Sequence, residues 1–169
     1  MNKIIPIIAF IFIISAYSLA GNKVELKWHK YNEGIAEAKK SNKKILLDVY
    51  TDWCKWCKKL DVEVYENDKV AAYLKKYYVL IKVNGEGSEK LKFKDNEISE
   101  TQFTGAMGVT GYPTMFFLDS KGDQIDKLAS FVTADKFLPI IKFFGEDHYK
   151  KENWEAFYKI YSQKESIKK

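Results

Sequence analysis

Hydrophobic and polar positions along the chain follow two periods, and the changes from one to the other predict an α/β domain. Apolar runs and alternations predict strands over 24–28, 45–50, 78–83, 114–118 and 124–131. Apolar positions three or four residues apart predict helices over 32–41, 57–66, 67–77, 98–107 and 133–145. Residues 84–96 are polar and contain two glycines, so we expect a loop there.

The N-terminal segment has the pattern of an export signal. Lys3 precedes an apolar run over residues 4–17, and the small residues Ser18 and Ala20 fit a signal-peptidase site. Residues 1–20 are therefore predicted to be a signal peptide, with an uncleaved membrane anchor as the alternative.

The C-terminal segment, residues 146–169, is predicted to be an amphipathic helical extension. Its aromatic residues recur at helical spacing: Trp154, Phe157, Tyr158 and Tyr161. We expect this stripe to pack on the surface of the domain itself, and the alternative is a helix that docks a partner.

Composition limits the possible functions. The 169 residues suffice for one domain with a proper core but hardly for two, and the 46% hydrophobic content is that of a globular protein. All 28 basic residues are lysine. This argues against a surface that reads nucleic acid, because such surfaces favour the bidentate guanidinium of arginine. The net charge of +5 then indicates a solvated lysine surface.

The two cysteines of the chain, Cys54 and Cys57, lie where the strand 45–50 is followed by the helix 57–66. Free N–H groups and the positive end of the helix dipole stabilise an anion at such a position, so we expect Cys54 to ionise readily. Neighbouring lysines add positive charge: Lys55, Lys58 and Lys59. Cys57 lies one turn inside the helix, close enough to close a disulfide and less able to meet solvent.

The spacing of the cysteines favours catalysis over a structural or metal-binding role. A bridge between residues three apart closes almost no loop and so contributes little stability. Zinc usually takes four protein ligands, of which C-x-x-C supplies two. The histidines, His29 and His148, lie near opposite ends of the mature chain, and we predict no metal site.

Residues around the cysteines give the chain a resemblance to the thioredoxin superfamily. Asp48 lies six residues before Cys54, where thioredoxins carry a buried acid, and Lys82 ends a strand like the one that supplies a lysine to that acid. The Gly-Tyr-Pro-Thr run 111–114 matches the cis-proline loop of the family. The run 47–58 is most similar to the C-terminal periplasmic domain of the disulfide-interchange protein DsbD.

This resemblance covers about residues 24–145 and implies a thioredoxin fold. That fold is a mixed central β-sheet flanked by helices, in the order βαβαβαββα. Residues 21–145 are accordingly assigned to a thioredoxin-like domain, and an extra C-terminal helix follows it.

The resemblance also implies roles for the site residues. Cys54 attacks a client disulfide and Cys57 resolves the mixed disulfide. Asp48 and Lys82 are assigned to the catalytic machinery, and a purely structural ion pair is the alternative. Five residues are assigned to the client-binding surface: Trp53, Lys55, Trp56, Tyr112 and Pro113. Pro113 is expected to follow a cis peptide bond, with an ordinary trans proline as the alternative.

The predicted function is that of an exported, periplasmic thiol–disulfide oxidoreductase without a cofactor, with reduction as the favoured direction. Expected partners are disulfide-containing client proteins and a membrane electron donor of the DsbD or CcdA type, and we expect a monomer. One rival is a thioredoxin-fold copper(I) metallochaperone that uses the same two cysteines, since soft thiolates suit that ion. A second rival is a folding or docking module whose C-terminal helix is the active part.

Overall fold

The computed structural model describes residues 24–167, which form seven strands and six α-helices. The strands are β1 (Trp28–His29), β2 (Lys44–Tyr50), β3 (Tyr78–Asn84), β4 (Lys90–Phe93), β5 (Asn96–Ser99), β6 (Thr114–Leu118) and β7 (Gln124–Leu128). The helices are α1 (Tyr31–Ser41), α2 (Lys55–Leu60), α3 (Asp68–Tyr77), α4 (Glu100–Ala106), α5 (Ala134–Gly145) and α6 (Trp154–Ile167). A π-helical turn, Asp61–Tyr65, follows α2, and a 3-10 turn, His148–Lys150, precedes α6.

Five strands form a mixed sheet in the order β1-β3-β2-β6-β7. The central strand β2 pairs in parallel with β3 and antiparallel with β6. The outer strands extend each half, with β1 parallel to β3 and β7 antiparallel to β6. Parallel strands need crossover connections: α1 connects β1 to β2 across β3, and the α2–α3 segment connects β2 to its neighbour β3. The predicted mixed sheet flanked by helices is confirmed.

The core has two halves because successive side chains of a strand point to opposite faces of the sheet. Leu46 of β2 packs with Leu60 of α2 and Phe137 of α5. Its neighbours Ile45 and Leu47 pack with Phe103 of α4 on the other face. Asp48, two places after Leu46, therefore lies on the face that α2 covers.

The predicted polar loop over 84–96 is wrong in its second half. Strands β4 and β5 form a separate two-stranded antiparallel sheet there. Leu91 of this hairpin is buried, and the Phe93 ring meets the Phe103 ring edge-on at 5.1 Å. The helix predicted from residue 98 begins later because Ser99 and Gln102 form a capping box at its N-terminus.

Other element boundaries also differ from the predictions. The first strand, predicted over 24–28, is confined to β1, and the last strand ends at Leu128 rather than at residue 131. The helix predicted from residue 32 begins one residue earlier, at Tyr31, and the Asn32 side-chain oxygen accepts a hydrogen bond from the Lys92 backbone N–H at 2.8 Å. The helix predicted over 67–77 begins at Asp68, and Asn67 is its cap, accepting hydrogen bonds from the backbone N–H groups of Lys69 and Val70.

The C-terminal extension packs on the domain through three of the four predicted aromatic residues, whereas Tyr158 is 43% exposed. Phe157 of α6 is buried, and its ring lies 5.2 Å from that of Phe143 on α5. Trp154 meets the same Phe143 ring edge-on at 5.5 Å. The predicted signal peptide, 1–20, lies outside the described residues. No helix within residues 24–167 has the length and apolar character needed to cross a membrane.

Candidate active site

The cysteine pair lies at the N-terminus of α2, where Cys54 is the N-cap residue. Cys54 and Cys57 form a disulfide, and the Cys57 backbone N–H donates to Cys54 Sγ at 3.0 Å. The same N–H is in place to stabilise a Cys54 thiolate when the disulfide is reduced. Both cysteines are 3% exposed, so the predicted difference in accessibility between them is not present in the disulfide form.

A buried acid lies on the face of the sheet that α2 covers. Asp48 is completely buried, and its register partner on the parallel strand β3 is Lys82. Lys82 Nζ lies 3.9 Å from Asp48 Oδ2. Among the described residues, neither carboxyl oxygen of Asp48 has a hydrogen-bond partner. The sequence therefore correctly predicted which acid and lysine would meet, although their contact is long.

Lys82 is shared with a second acid that the sequence analysis missed. Asp61, the first residue of the π-helical turn, accepts a hydrogen bond from Lys82 Nζ at 2.5 Å. Asp61 lies four residues after Cys57, but no signal in the sequence pairs it with Lys82, because it reaches the ammonium group from the π-helical turn. Both Lys82 and Asp61 line an open cavity of about 580 Å³.

Aromatic rings enclose the same ammonium group. Lys82 Nζ lies 5.0 Å from the ring centre of Trp28, 5.2 Å from that of Tyr50 and 5.9 Å from that of Tyr65. Ring faces attract a cation, so these contacts help to hold the ammonium group between the two acids.

The electrostatic surroundings place the titration of Asp48 near neutral pH. Burial raises the pKa of Asp48 from 3.8 to about 7, with Lys82 opposing the rise and Asp61 adding to it. Burial also raises the pKa of the Tyr65 hydroxyl well above 10, and the charges of Asp48 and Asp61 add to that effect. A carboxyl group with a pKa near 7 can accept and return protons at physiological pH.

Trp53, which directly precedes Cys54 in the chain, packs against Tyr112. Trp53 is 62% exposed, and its ring meets the Tyr112 ring edge-on at 5.9 Å. The indole Nε1–H of Trp53 donates to Glu86 Oε2 at 3.0 Å. Tyr112 precedes Pro113 through a cis peptide bond, and Pro113 is directly followed by β6.

Trp56 lies at the second position of α2 and forms a separate aromatic surface with Phe131. Trp56 is 55% exposed, and its ring centre lies 5.2 Å from that of Phe131. Lys59 Nζ lies 5.2 Å from the centres of both rings. Lys55, the first residue of α2, is exposed.

The structure brings the predicted site residues into two groups. Asp48 and Lys82 lie together on the α2 face of the sheet. Trp53, which directly precedes Cys54, lies against Tyr112. Sequence reasoning missed Asp61, Glu86 and Phe131. Within residues 24–167, no group of three or more histidine, cysteine, aspartate or glutamate side chains is arranged to hold a metal ion.

Comparisons with known proteins agree with this geometry. Residues 31–145 match the family model described as a thioredoxin-like domain. The thiol:disulfide interchange protein DsbD of Vibrio vulnificus is 30% identical over 110 residues, which are 64% of this chain and 17% of that protein. The chain thus spans less than a fifth of the length of this relative.

Solved structures share the fold. A thioredoxin-fold protein from Helicobacter pylori has a TM-score of 0.60 and 23% identity, over 83% of this chain and 89% of that one. The C-terminal domain of Neisseria meningitidis DsbD in its reduced form has a TM-score of 0.50 and 24% identity, over 66% and 90% of the two chains. The chain therefore has the α/β thioredoxin fold.

Proposed function

Because the chain belongs to the thioredoxin-like domain family, we propose that it is an exported thiol–disulfide oxidoreductase that reduces the disulfides of client proteins. The observation that carries this proposal is the Cys54–Cys57 disulfide at the N-terminus of α2, on the same side of the sheet as the buried acid Asp48. A helix N-terminus favours the thiolate that disulfide exchange requires.

The first chemical step uses Cys54. In the reduced protein its thiolate attacks one sulfur of a client disulfide, which forms a mixed disulfide and releases the other client sulfur as a thiolate. The backbone N–H of Cys57 supports the attacking thiolate at the distance of 3.0 Å seen for Cys54 Sγ.

The second step uses Cys57. Its thiolate attacks Cys54 Sγ, which reforms the Cys54–Cys57 disulfide and releases the second client sulfur. The protein dithiol loses two electrons and the client disulfide gains them, and the two thiol protons end on the client sulfurs. Cys57 is buried and must lose its proton before it attacks. Asp48, with a pKa of about 7, is the base that we assign to this proton.

Clients would bind across the exposed residues beside the disulfide. Trp53, Lys55 and Trp56, which flank Cys54 in the chain, are exposed, and Tyr112 is half-buried against Trp53. Pro113 is itself buried, so the part in client binding that we assign to it is to present the backbone of Tyr112. Large exposed aromatic side chains are typical of surfaces that bind other proteins.

The direction of the redox reaction and the cellular location of the protein are parts of the same proposal. The similarity to DsbD and the base Asp48 support reduction, and a reductase in an oxidising compartment needs electrons. We therefore propose a membrane electron donor of the DsbD or CcdA type, together with export directed by residues 1–20.

Insulin reduction with dithiothreitol as the electron source tests the activity. Wild type should accelerate precipitation of the insulin B chain, and Cys54→Ser should abolish the acceleration. Cys57→Ser should also lose turnover but accumulate mixed disulfides through Cys54, because resolution needs the second thiol. A wild-type protein that is no faster than Cys54→Ser would overturn the proposal. Tight copper(I) binding by that inactive protein would instead favour the metallochaperone.

A further inference from the structure

The indole of Trp53 is held in one orientation by Glu86. Its ring is 62% exposed beside Cys54, while Nε1–H donates to Glu86 Oε2 at 3.0 Å and the ring edge meets Tyr112. A side chain that is mostly exposed but fixed at two points presents its remaining surface to an incoming molecule at little entropic cost.

The segment 84–87, which carries Glu86, is itself firmly held. Asn84 Oδ1 accepts a hydrogen bond from the Glu86 N–H at 3.1 Å, and the Gly85 N–H donates to the Tyr50 carbonyl at 2.7 Å. Gly85 also lies against Tyr112, because a Cβ atom at this position would lie 2.3 Å from the Tyr112 hydroxyl oxygen. The carboxylate of Glu86 is therefore placed by the fold beside the indole of Trp53, the residue that directly precedes Cys54.

Two carboxylates lie near Trp53 in a protein whose net charge is +5. Glu86 is joined there by Asp52, whose Oδ2 accepts from Asn84 Nδ2 at 3.3 Å. Within the described residues neither carboxylate forms an ion pair with a lysine, although the chain has 28 lysines. On the α2 side the exposed charges are those of Lys55, Lys58 and Lys59.

From this arrangement we propose that Glu86 is a specificity-determining residue that favours clients with a lysine or arginine side chain next to the disulfide to be reduced. The client cation would lie against the exposed Trp53 ring and pair with the Glu86 carboxylate. The inference rests on the proposed function and adds to it the charge of the preferred client.

The size of the expected preference follows from the two contacts that the client cation would make, with Glu86 and with the Trp53 ring. An exposed ion pair and an exposed cation–π contact each contribute little on their own, so together they give a preference of about three- to tenfold. The Trp53–Glu86 hydrogen bond should be the same with every client, and neither residue takes part in the exchange of sulfur atoms. The preference should therefore appear in binding and not in the chemical step. Salt should weaken it, because both groups are exposed.

Single-turnover reduction of two synthetic peptides tests the inference. Each peptide contains one disulfide, and the two differ only in a lysine or a glutamate next to a bridged cysteine. Pre-reduced full-length protein is mixed with increasing peptide, which yields a limiting rate and a half-saturating concentration for each. Glu86→Gln keeps a hydrogen-bond acceptor for Trp53 and removes the charge, and Glu97→Gln on the exposed hairpin is the matched control.

We expect wild type and Glu97→Gln to reach half-saturation with the lysine peptide at a concentration about three- to tenfold lower than with the glutamate peptide, with similar limiting rates. In Glu86→Gln the two concentrations should converge, and 0.5 M NaCl should have the same effect on wild type. Equal half-saturating concentrations in wild type, or a preference that survives in Glu86→Gln, would overturn the inference while leaving the oxidoreductase activity intact. If neither peptide is reduced by wild type, the proposed function itself fails, and the inference fails with it.

Discussion

The buried carboxyl group of Asp48 should make the stability of the folded protein depend on pH in a defined direction. Its folded-state pKa of about 7 lies above its ordinary value of 3.8, so the folded state binds this proton more tightly than the unfolded chain does. The resulting stabilisation is fully present below about pH 4 and is lost as the pH rises to about 7. At about 1.4 kcal/mol for each pH unit, the loss is roughly 4 kcal/mol.

Asp48→Asn removes the ionisable group and nearly preserves its shape. We expect the free energy of unfolding of the oxidised variant, relative to wild type, to rise by roughly 4 kcal/mol between pH 4 and pH 8. At pH 4 the variant should differ from wild type by at most about 1–3 kcal/mol, because the neutral Asp48 carboxyl of wild type already buries one O–H donor and the amide replaces it with two N–H donors. Lys82 keeps Asp61 as its partner, so the loss of about 3–5 kcal/mol that follows a stranded buried charge is not expected.

Guanidinium unfolding of the oxidised proteins at pH values from 4 to 8 measures this difference. Asp95→Asn, on the exposed turn between β4 and β5, is the control and should differ from wild type by the same small amount at every pH. The Asp48→Asn variant should also reduce insulin about 10²–10⁴-fold more slowly at pH 7. This deficit should shrink as the pH approaches the pKa of a free thiol, because Cys57 then ionises without a base. A stability difference that stays flat from pH 4 to pH 8 would refute the raised pKa, and a wild-type rate at pH 7 would leave Asp48 with a structural role alone.

Two further predictions follow from the contacts of Lys82 and of α6. Asp61→Asn removes the partner that lies 2.5 Å from Lys82 Nζ, so the ammonium can turn to Asp48 and lower its pKa. Carbon-13 NMR of the Asp48 carboxyl group should show a lower titration midpoint, and an unchanged midpoint would contradict this reading. Phe157→Ala should destabilise the docking of α6 by about 3 kcal/mol and speed proteolysis within 151–167 while insulin reduction continues, whereas Tyr158→Ala, at a position 43% exposed, should change little.

Strand periodicity marked Asp48 as a buried acid, whereas its pairing with Lys82 was predicted from the family resemblance. Asp48 interrupts a buried apolar run. Lys82 lies in the neighbouring parallel strand, and its side chain points to the same face of the sheet as that of Asp48. The two residues meet because β2 and β3 align Asp48 with Lys82, a register that a single sequence does not specify. The family resemblance indicated that Lys82 is the partner of Asp48.

The residues that were missed depend on local geometry that periodicity does not encode. Asp61 reaches Lys82 from a π-helical turn, which breaks the regular helical pattern predicted over 57–66. Glu86 reaches Trp53 from a turn that the Asn84 side chain shapes, within a segment that polarity marked only as a loop. The β4–β5 hairpin was missed because its strands have four residues each, which is too short for alternation to stand out.

The position of Lys82 explains why the pKa of buried Asp48 lies near neutral pH, as the role of base that we propose for it requires. A lysine in full contact with Asp48 would stabilise the carboxylate and lower its pKa, which would leave it a weak base for a thiol. Without a nearby cation, burial alone would raise the pKa further and leave the acid protonated at pH 7. In this protein Lys82 lies 2.5 Å from Asp61 and 3.9 Å from Asp48, so most of its interaction goes to the outer acid and only part of it reaches the inner one. Asp61 and Lys82 both line the open cavity of about 580 Å³, whereas Asp48 is completely buried.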